Sequence, residues 1–290
     1  MTLGFIAVLS ALIFQTVSIS KSSFDDLMDI KVQNQELILM DDLINIINKF
    51  DAKDFKDNFV DQDPIPVMDE KSGLNLTIEC QSLDKRFNLN QLLMCKKDIC
   101  NNVIREFAKK YELVDEDYLL ALLKDTVNFH DNERASGSRI SFYDKTFSDG
   151  KIINYKTITQ IEDYYYHELK DENIYKIKKE DFLNVFYLFD KKLDGNVTSS
   201  PTDEVCEVLG FKDDKESCKT EFIKINSSIK KTLNKGTKSK ASKKNHPIKT
   251  NNLIQCTVNY YKGDESHSVV FKYDLDKKSK KRVVSIDEFF

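Results

Sequence analysis

The chain has 290 residues, enough for two ordinary domains. With 32% charged and 40% hydrophobic residues it is not an intrinsically disordered chain. Its 8 glycines and 4 prolines argue against a turn-dense sandwich or a glycine-rich phosphate-binding fold, and a net charge of −4 gives no global attraction for nucleic acid.

Residues 1–20 carry no charge. Leu3 to Phe14 is apolar, and Ser18, Ile19 and Ser20 place small residues where a signal peptidase reads. This pattern predicts a secretory signal peptide over 1–20. The alternative, a membrane anchor, is disfavoured because the run is shorter than the ~20 residues a span needs. A secreted, extracellular protein with no membrane span after signal removal is the expectation.

Secretion changes the meaning of the six cysteines, Cys80, Cys95, Cys100, Cys206, Cys218 and Cys256. An even count in an oxidising compartment implies disulfides, with ~15 possible complete pairings. Proximity in sequence suggests Cys80 with Cys95 and Cys206 with Cys218, leaving Cys100 and Cys256 to pair with each other or otherwise. Irregular spacing, no CxxC and no histidine near a cysteine pair argue against metal. Sequons begin at Asn75, Asn196 and Asn226, as in a glycoprotein.

In chain order, Asn34 to Phe50 places Met40, Leu43, Ile44, Ile47 and Phe50 on one helical stripe. Asp51 reads as the N-cap of a second short helix carrying Phe55 and Phe59, and Asp63-Pro64-Ile65-Pro66 stops it. Leu74 to Cys80 reads as a strand, and Asn88 to Tyr111 returns to helical spacing. Three strands are then predicted, over Tyr118–His130, Ser138–Phe147 and Lys151–Tyr165. In the second half, Glu180–Asp190, Asp203–Leu209 and Lys219–Leu233 read as helices. Leu253–Tyr261, Ser268–Asp276 and Arg282–Phe290 read as three strands, in which Val269, Phe271, Tyr273 and Leu275 alternate with Val270, Lys272 and Asp274. Period-two alternation predicts one buried face and one largely wet one.

The two halves thus follow the same predicted order. Ile46 to Asp51 sits beside Val185 to Asp190, and Thr159 to Tyr164 beside Val284 to Phe289. Together these suggest a diverged duplication, with a signal peptide over 1–20 and domains over 21–170 and 171–290. The amphipathic helix ending in Phe50-Asp51, the short second helix and the closing Ser285-Ile286-Asp287-Glu288-Phe289 resemble the nuclear transport factor 2-like superfamily. That resemblance implies an α+β fold of two tandem cone-like domains, each with N-terminal helices packed on a curved antiparallel sheet around an open pocket. The acid–base constellation of the superfamily's enzymes is not found at matching positions. The chain looks most like two of its secreted, cysteine-paired members in tandem.

Candidate chemistry is sparse. Asp190 to Thr198 resembles a calcium loop, but Lys192 and Pro201 stand where oxygen ligands belong, so no metal is expected. A pocket enzyme would draw on His130, Tyr143, Asp144 and Tyr155 in the first half, or Tyr260, His267 and Tyr273 in the second. No catalytic motif fixes their geometry, and half-buried strand tyrosines are the plainer reading. Tyr164-Tyr165-Tyr166-His167 reads as a packing seam before a binding lip. The segment 230–249 holds eight lysines and no acid, among them Lys230, Lys231, Lys235, Lys238, Lys240, Lys243 and Lys244. It reads as a solvated loop or, alternatively, a contact for sulfated glycan or acidic lipid.

The function expected is therefore a secreted, disulfide-bonded glycoprotein that binds a small ligand or an extracellular protein, without a cofactor. The alternatives are an isomerase- or dehydratase-type pocket enzyme, or an anionic-surface binder acting through the lysine loop.

Overall fold

The computed structural model describes residues 52–69, 74–128, 132–190, 193–194, 200–235, 248–249, 253–262, 265–275 and 283–289. The predicted signal peptide and the helix over 34–50 lie outside them. The chain divides into two compact units, Met1–Asn58 and Phe59–Phe290. Of the first, the structure describes residues 52–58, which belong to helix α1 (Ala52–Phe59), the short helix expected after Asp51.

The second unit is mixed α+β. Its sheet is antiparallel and five-stranded, in the order β1 (Ile65–Asp69), β2 (Leu74–Ser82), β7 (Leu253–Lys262), β8 (Glu265–Asp274) and β9 (Val283–Phe289). The three C-terminal strands are those that the alternation predicts. Their neighbour comes from the other end of the chain: β2 pairs along its length with β7, bringing Cys80 directly opposite Cys256.

Helices fill the rest. They are α2 (Leu89–Met94), α3 (Asp98–Lys110), α4 (Glu116–Val127), α5 (Ile140–Tyr143), α6 (Tyr155–Leu169), α7 (Lys179–Val185), α8 (Asp203–Val208) and α9 (Lys215–Lys235). The helical run predicted from Asn88 to Tyr111 is split at 95–97 into α2 and α3. Two-residue strands form parallel bridges, β3 (Phe87–Asn88) with β4 (Phe186–Tyr187), and β5 (Leu193–Asp194) with β6 (Ile248–Lys249).

The meander predicted over 118–165 is helical instead. In α4, Leu119, Leu120, Leu122 and Leu123 are all buried, so the helix packs into the interior on several sides. Asp115 caps it, accepting the Tyr118 N–H at 2.8 Å. In α6, Ile158, Ile161, Glu162 and Tyr165 are buried at i, i+3, i+4 and i+7, and the Asn154 side chain accepts the Thr157 N–H. The β-branched and aromatic residues of these segments imitate strand composition, but caps and spacing decide for helix. Between them, among the described residues, only Ile140–Tyr143 is regular. That connection is pinned by side chains: Arg139 pairs with Asp149 at 2.9 Å in a buried ion pair, and Ser138 donates to Asp125 at 2.5 Å.

The boundary expected at 170/171 does not mark a seam in this unit. Phe107 on α3 lies edge-on to Phe182 on α7 and to Phe186, at 5.6 and 5.1 Å between centroids. One apolar cluster runs from Phe87 to Ile229. The tyrosine run lies on α6, where Tyr165 is fully buried and accepts the Asp115 N–H at 3.1 Å, while His167 is exposed.

All six cysteines are bridged, as Cys80–Cys256, Cys95–Cys100 and Cys206–Cys218. The Cys206–Cys218 expectation holds. Cys80–Cys95 does not, because strand pairing carries Cys80 to Cys256, and Cys95 meets Cys100 across the break between α2 and α3.

Asn90 joins three distant segments. Its amide nitrogen donates to the carbonyls of Ile152 (2.7 Å) and Phe189 (3.1 Å), and its oxygen accepts the Ile152 N–H (2.9 Å). Asn90→Ala removes three hydrogen bonds in a site where the side chain is 2% exposed; the Ile152 N–H and carbonyl lose these partners, while the Phe189 carbonyl keeps the Asn88 amide at 3.3 Å. We expect it to lower the unfolding free energy by about 3 kcal/mol, against under ~1 kcal/mol for the surface control Asn102→Ala, in urea titrations.

Candidate functional site, a roofed polar cleft

On β7 and β8 the side chains alternate between two faces. One face carries Ile254, Cys256, Val258, Phe271 and Tyr273, all at or near zero exposure. The other carries three cross-strand pairs, Gln255 with Lys272, Thr257 with Val270 and Asn259 with Ser268. By its pattern this second face should be wet, yet Val270 is 7% and Lys272 2% exposed. The reason is a roof: the N-terminal ends of α6 and α7 stand over it.

Between sheet and roof lies a cleft of about 290 Å³. From the roof come Asn154, Tyr155, Lys179, Glu180 and Leu183, and Leu188 closes one wall. Packing places these residues. Tyr155 lies edge-on to Phe182 at 5.7 Å, which anchors the start of α6 against α7. The Asn154 side chain is held by its cap, accepting both the N–H and the hydroxyl of Thr157 at 3.1 Å. Arg86, 5% exposed, donates to the Leu183 carbonyl at 2.8 Å and fixes the last turn of α7.

The electrostatics of the cleft follow from burial. Desolvation lowers the Lys179 ammonium below the ordinary lysine range, opposed by Glu180 beside it. Tyr155 donates to Glu162 Oε1 at 3.1 Å. Burial first, and then the neighbouring Glu162, push the Tyr155 hydroxyl far above its usual value. Glu162 is 8% exposed among Ile104, Phe107, Ile158, Ile161 and Phe182. Desolvation raises its carboxyl to about 7, although the Tyr155 hydrogen bond pulls the other way.

Of the residues expected to line a pocket, Tyr155 is the one found in the described lining of this cleft. Tyr273 is fully buried on the opposite face of β8. Tyr143 lies on α5 and is 61% exposed, and Asp144 is an exposed turn residue that accepts the Thr146 N–H at 2.8 Å. Tyr260 and His267 pair across β7 and β8, and His130 lies outside the described residues. Asn75 lies on β2 opposite Tyr261; the Asn226 amide donates to the Phe222 carbonyl at 3.0 Å within α9; Asn196 lies outside the described residues. Lys230 and Lys231 are on α9, which ends at Lys235, whereas Lys238, Lys240, Lys243 and Lys244 lie outside the described residues.

Gln255, Thr257, Asn259, Lys272, Lys179 and Glu162 escape the sequence reading. The signal was present in part: a strand face bearing Gln, Thr and Asn in alternation is a polar surface, but nothing local says that helices cover it. Among the described residues there is no group of three or more histidine, cysteine or acidic side chains able to hold a metal, and no helix long and apolar enough to cross a membrane. No protein-family model matches the chain, and no curated protein matches it significantly.

Proposed function

We propose that this is a secreted binding protein whose ligand is a small polar molecule held in the cleft between the β7–β8 face and the start of α6 and α7. One observation carries the reading: a sheet face made of hydrogen-bonding side chains is roofed by helices yet encloses about 290 Å³ of space. A face built only for packing would be apolar, and one built only for solvent would be uncovered. A concave site with convergent polar groups between apolar walls is the usual form of a small-molecule site. Three disulfides support an oxidising compartment. Of the cone arrangement of the nuclear transport factor 2-like superfamily, a single sheet-and-helix cleft is the part that supports this reading.

Thermal-shift screening of the full chain against polar metabolites, with Asn259→Trp as the blocked variant, tests it. At least one compound is expected to raise the melting temperature of the wild type and leave the variant unmoved. A screen in which nothing stabilises the wild type, or in which the variant responds equally, removes the cleft as the binding site.

A second reading, an acid–base enzyme, is favoured by the Tyr155–Glu162 pair. A carboxyl titrating near neutrality and touching a residue of the cleft is a usual component of proton transfer. It requires that Tyr155→Phe abolish turnover of a bound compound while leaving its binding intact. Loss of both together assigns Tyr155 to binding.

A further inference from the structure

The charges about the cleft are balanced by the protein itself. Lys179 and Lys272 each have a partner within the protein. Glu180 adjoins Lys179, and Asp274 follows Lys272 on the same face of β8. Glu79 stands opposite Thr257 on β2, where the Gln81 amide donates to it. A charged ligand would shed its water here without gaining a free countercharge.

Four neutral side chains differ from these. Gln255, Thr257, Asn259 and Ser268 are each half-buried on the floor of the cleft. Among the described residues none of the four has a hydrogen-bond partner for its side chain. Each can both donate and accept, and a hydroxyl answers both functions without charge. The strand repeat sets Gln255, Thr257 and Asn259 about 7 Å apart along β7, with Ser268 about 5 Å across from Asn259.

The other wall is apolar. Tyr155, Leu183 and Leu188 line it, and the Tyr155 hydroxyl is taken by Glu162, which leaves ring surface for the cleft. A sugar ring has the same division, with hydroxyls at its edges and C–H groups on its faces. A planar base would call for stacking on both sides, and Tyr155 is the one aromatic residue of the described lining. The volume of about 290 Å³ lies near the lower end of the ~300–1,000 Å³ usual for small-molecule sites.

We propose that the cleft binds a neutral saccharide, with its hydroxyls directed to Gln255, Thr257, Asn259 and Ser268 and its C–H face to Tyr155, Leu183 and Leu188. This rests on the binding reading above and deepens it. The same chemistry exists in a free sugar and at the end of a glycan.

The test is isothermal titration of the full chain with glucose, galactose, mannose and their methyl glycosides. At least one is expected to bind with a millimolar or lower dissociation constant that does not change as salt is raised. The uronic acid and the amino sugar of the same hexose are expected to bind at least ~10-fold more weakly. Thr257→Val and Asn259→Ala, at half-buried positions, are each expected to lower the affinity of the bound sugar at least ~5-fold with little change in melting temperature. The glycosides separate the sources: affinity equal to or above that of the free hexose assigns a glycan end, and lower affinity a free sugar. Failure of all these sugars to bind at millimolar concentration, equal binding of the uronic acid or amino sugar, or wild-type affinity in either variant overturns the saccharide assignment. The screen with Asn259→Trp then decides separately whether the cleft binds anything: a compound that stabilises the wild type alone keeps the cleft as a site, and the lack of one removes both readings.

Discussion

Replacing Cys80 and Cys256 together by alanine should destabilise the protein by about 5 kcal/mol, the largest effect expected of any disulfide in the chain. The bond joins residues 176 apart in sequence, and cross-linking an unfolded chain removes more entropy the longer the loop it closes. The Cys95–Cys100 bond, with a separation of 5, should contribute about 2 kcal/mol on the same grounds. In a chain of this size the first substitution corresponds to a fall of roughly 10–20 °C in melting temperature, the second to less than half of that. Both cysteines of the long-range pair are buried on the apolar sheet face, so lost packing adds to the entropic effect. Calorimetry of the two double variants under one set of conditions decides the matter. Equal losses would mean that the ends of the chain are held together by the β2–β7 ladder alone.

Glu162→Gln should stabilise the protein by about 3 kcal/mol at pH 8 and leave it almost unchanged at pH 4. The carboxyl titrates near 7 in the folded chain, above the ordinary glutamate value of 4.5, because burial among apolar side chains disfavours its charged form. Between those two values the folded protein holds a proton that the unfolded chain has released. Stability from this group is therefore complete below about pH 4.5, falls as pH rises, and is lost above about pH 7. Glutamine keeps an acceptor for the Tyr155 hydroxyl and never ionises. The opposite slope, stability rising with pH, comes from carboxyls held low. Glu207 is bonded by Lys110 and Lys212, and Asp144 and Asp214 take hydrogen bonds from Thr146 and Ser217. Their contribution fades only in acid, below the range in which Glu162 titrates. Tyr155→Phe removes the one hydrogen bond that favours ionised Glu162, so it should move the midpoint upward. Urea unfolding of wild type and Glu162→Gln from pH 4 to 8 gives two curves that diverge with rising pH. Parallel curves would place Glu162 in contact with water.

What the sequence disclosed and what it withheld follow a physical line. The C-terminal strands are legible because alternation is local: Ile254, Cys256 and Val258 point one way, Gln255, Thr257 and Asn259 the other. The α3 stripe of Cys100, Val103, Ile104 and Phe107 is legible for the same reason. The partner of β7 is not, because no feature of Leu74–Ser82 encodes a neighbour 176 residues away, and the pairing of Cys80 was lost with it. Composition does not separate α4 and α6 from strands, because Tyr, Thr and Ile populate strands and helices alike. The caps Asp115 and Asn154, each three residues ahead of the N–H they accept, were the evidence against a strand. The cleft combines both difficulties. Its floor was visible as a polar strand face, whereas its roof depends on Phe182 and Tyr155 meeting in an aromatic cluster that no window of sequence contains.

The central claim for the fold is that β2 and β7 are neighbours in the sheet whose β7–β8 face floors the cleft, and a peptide map of the non-reduced protein tests that most directly. The peptide containing Cys80 is predicted to be joined to the one containing Cys256, with Cys206 joined to Cys218 and Cys95 to Cys100. Recovery of Cys80 joined to Cys95, or to Cys206, would contradict the strand order of the sheet.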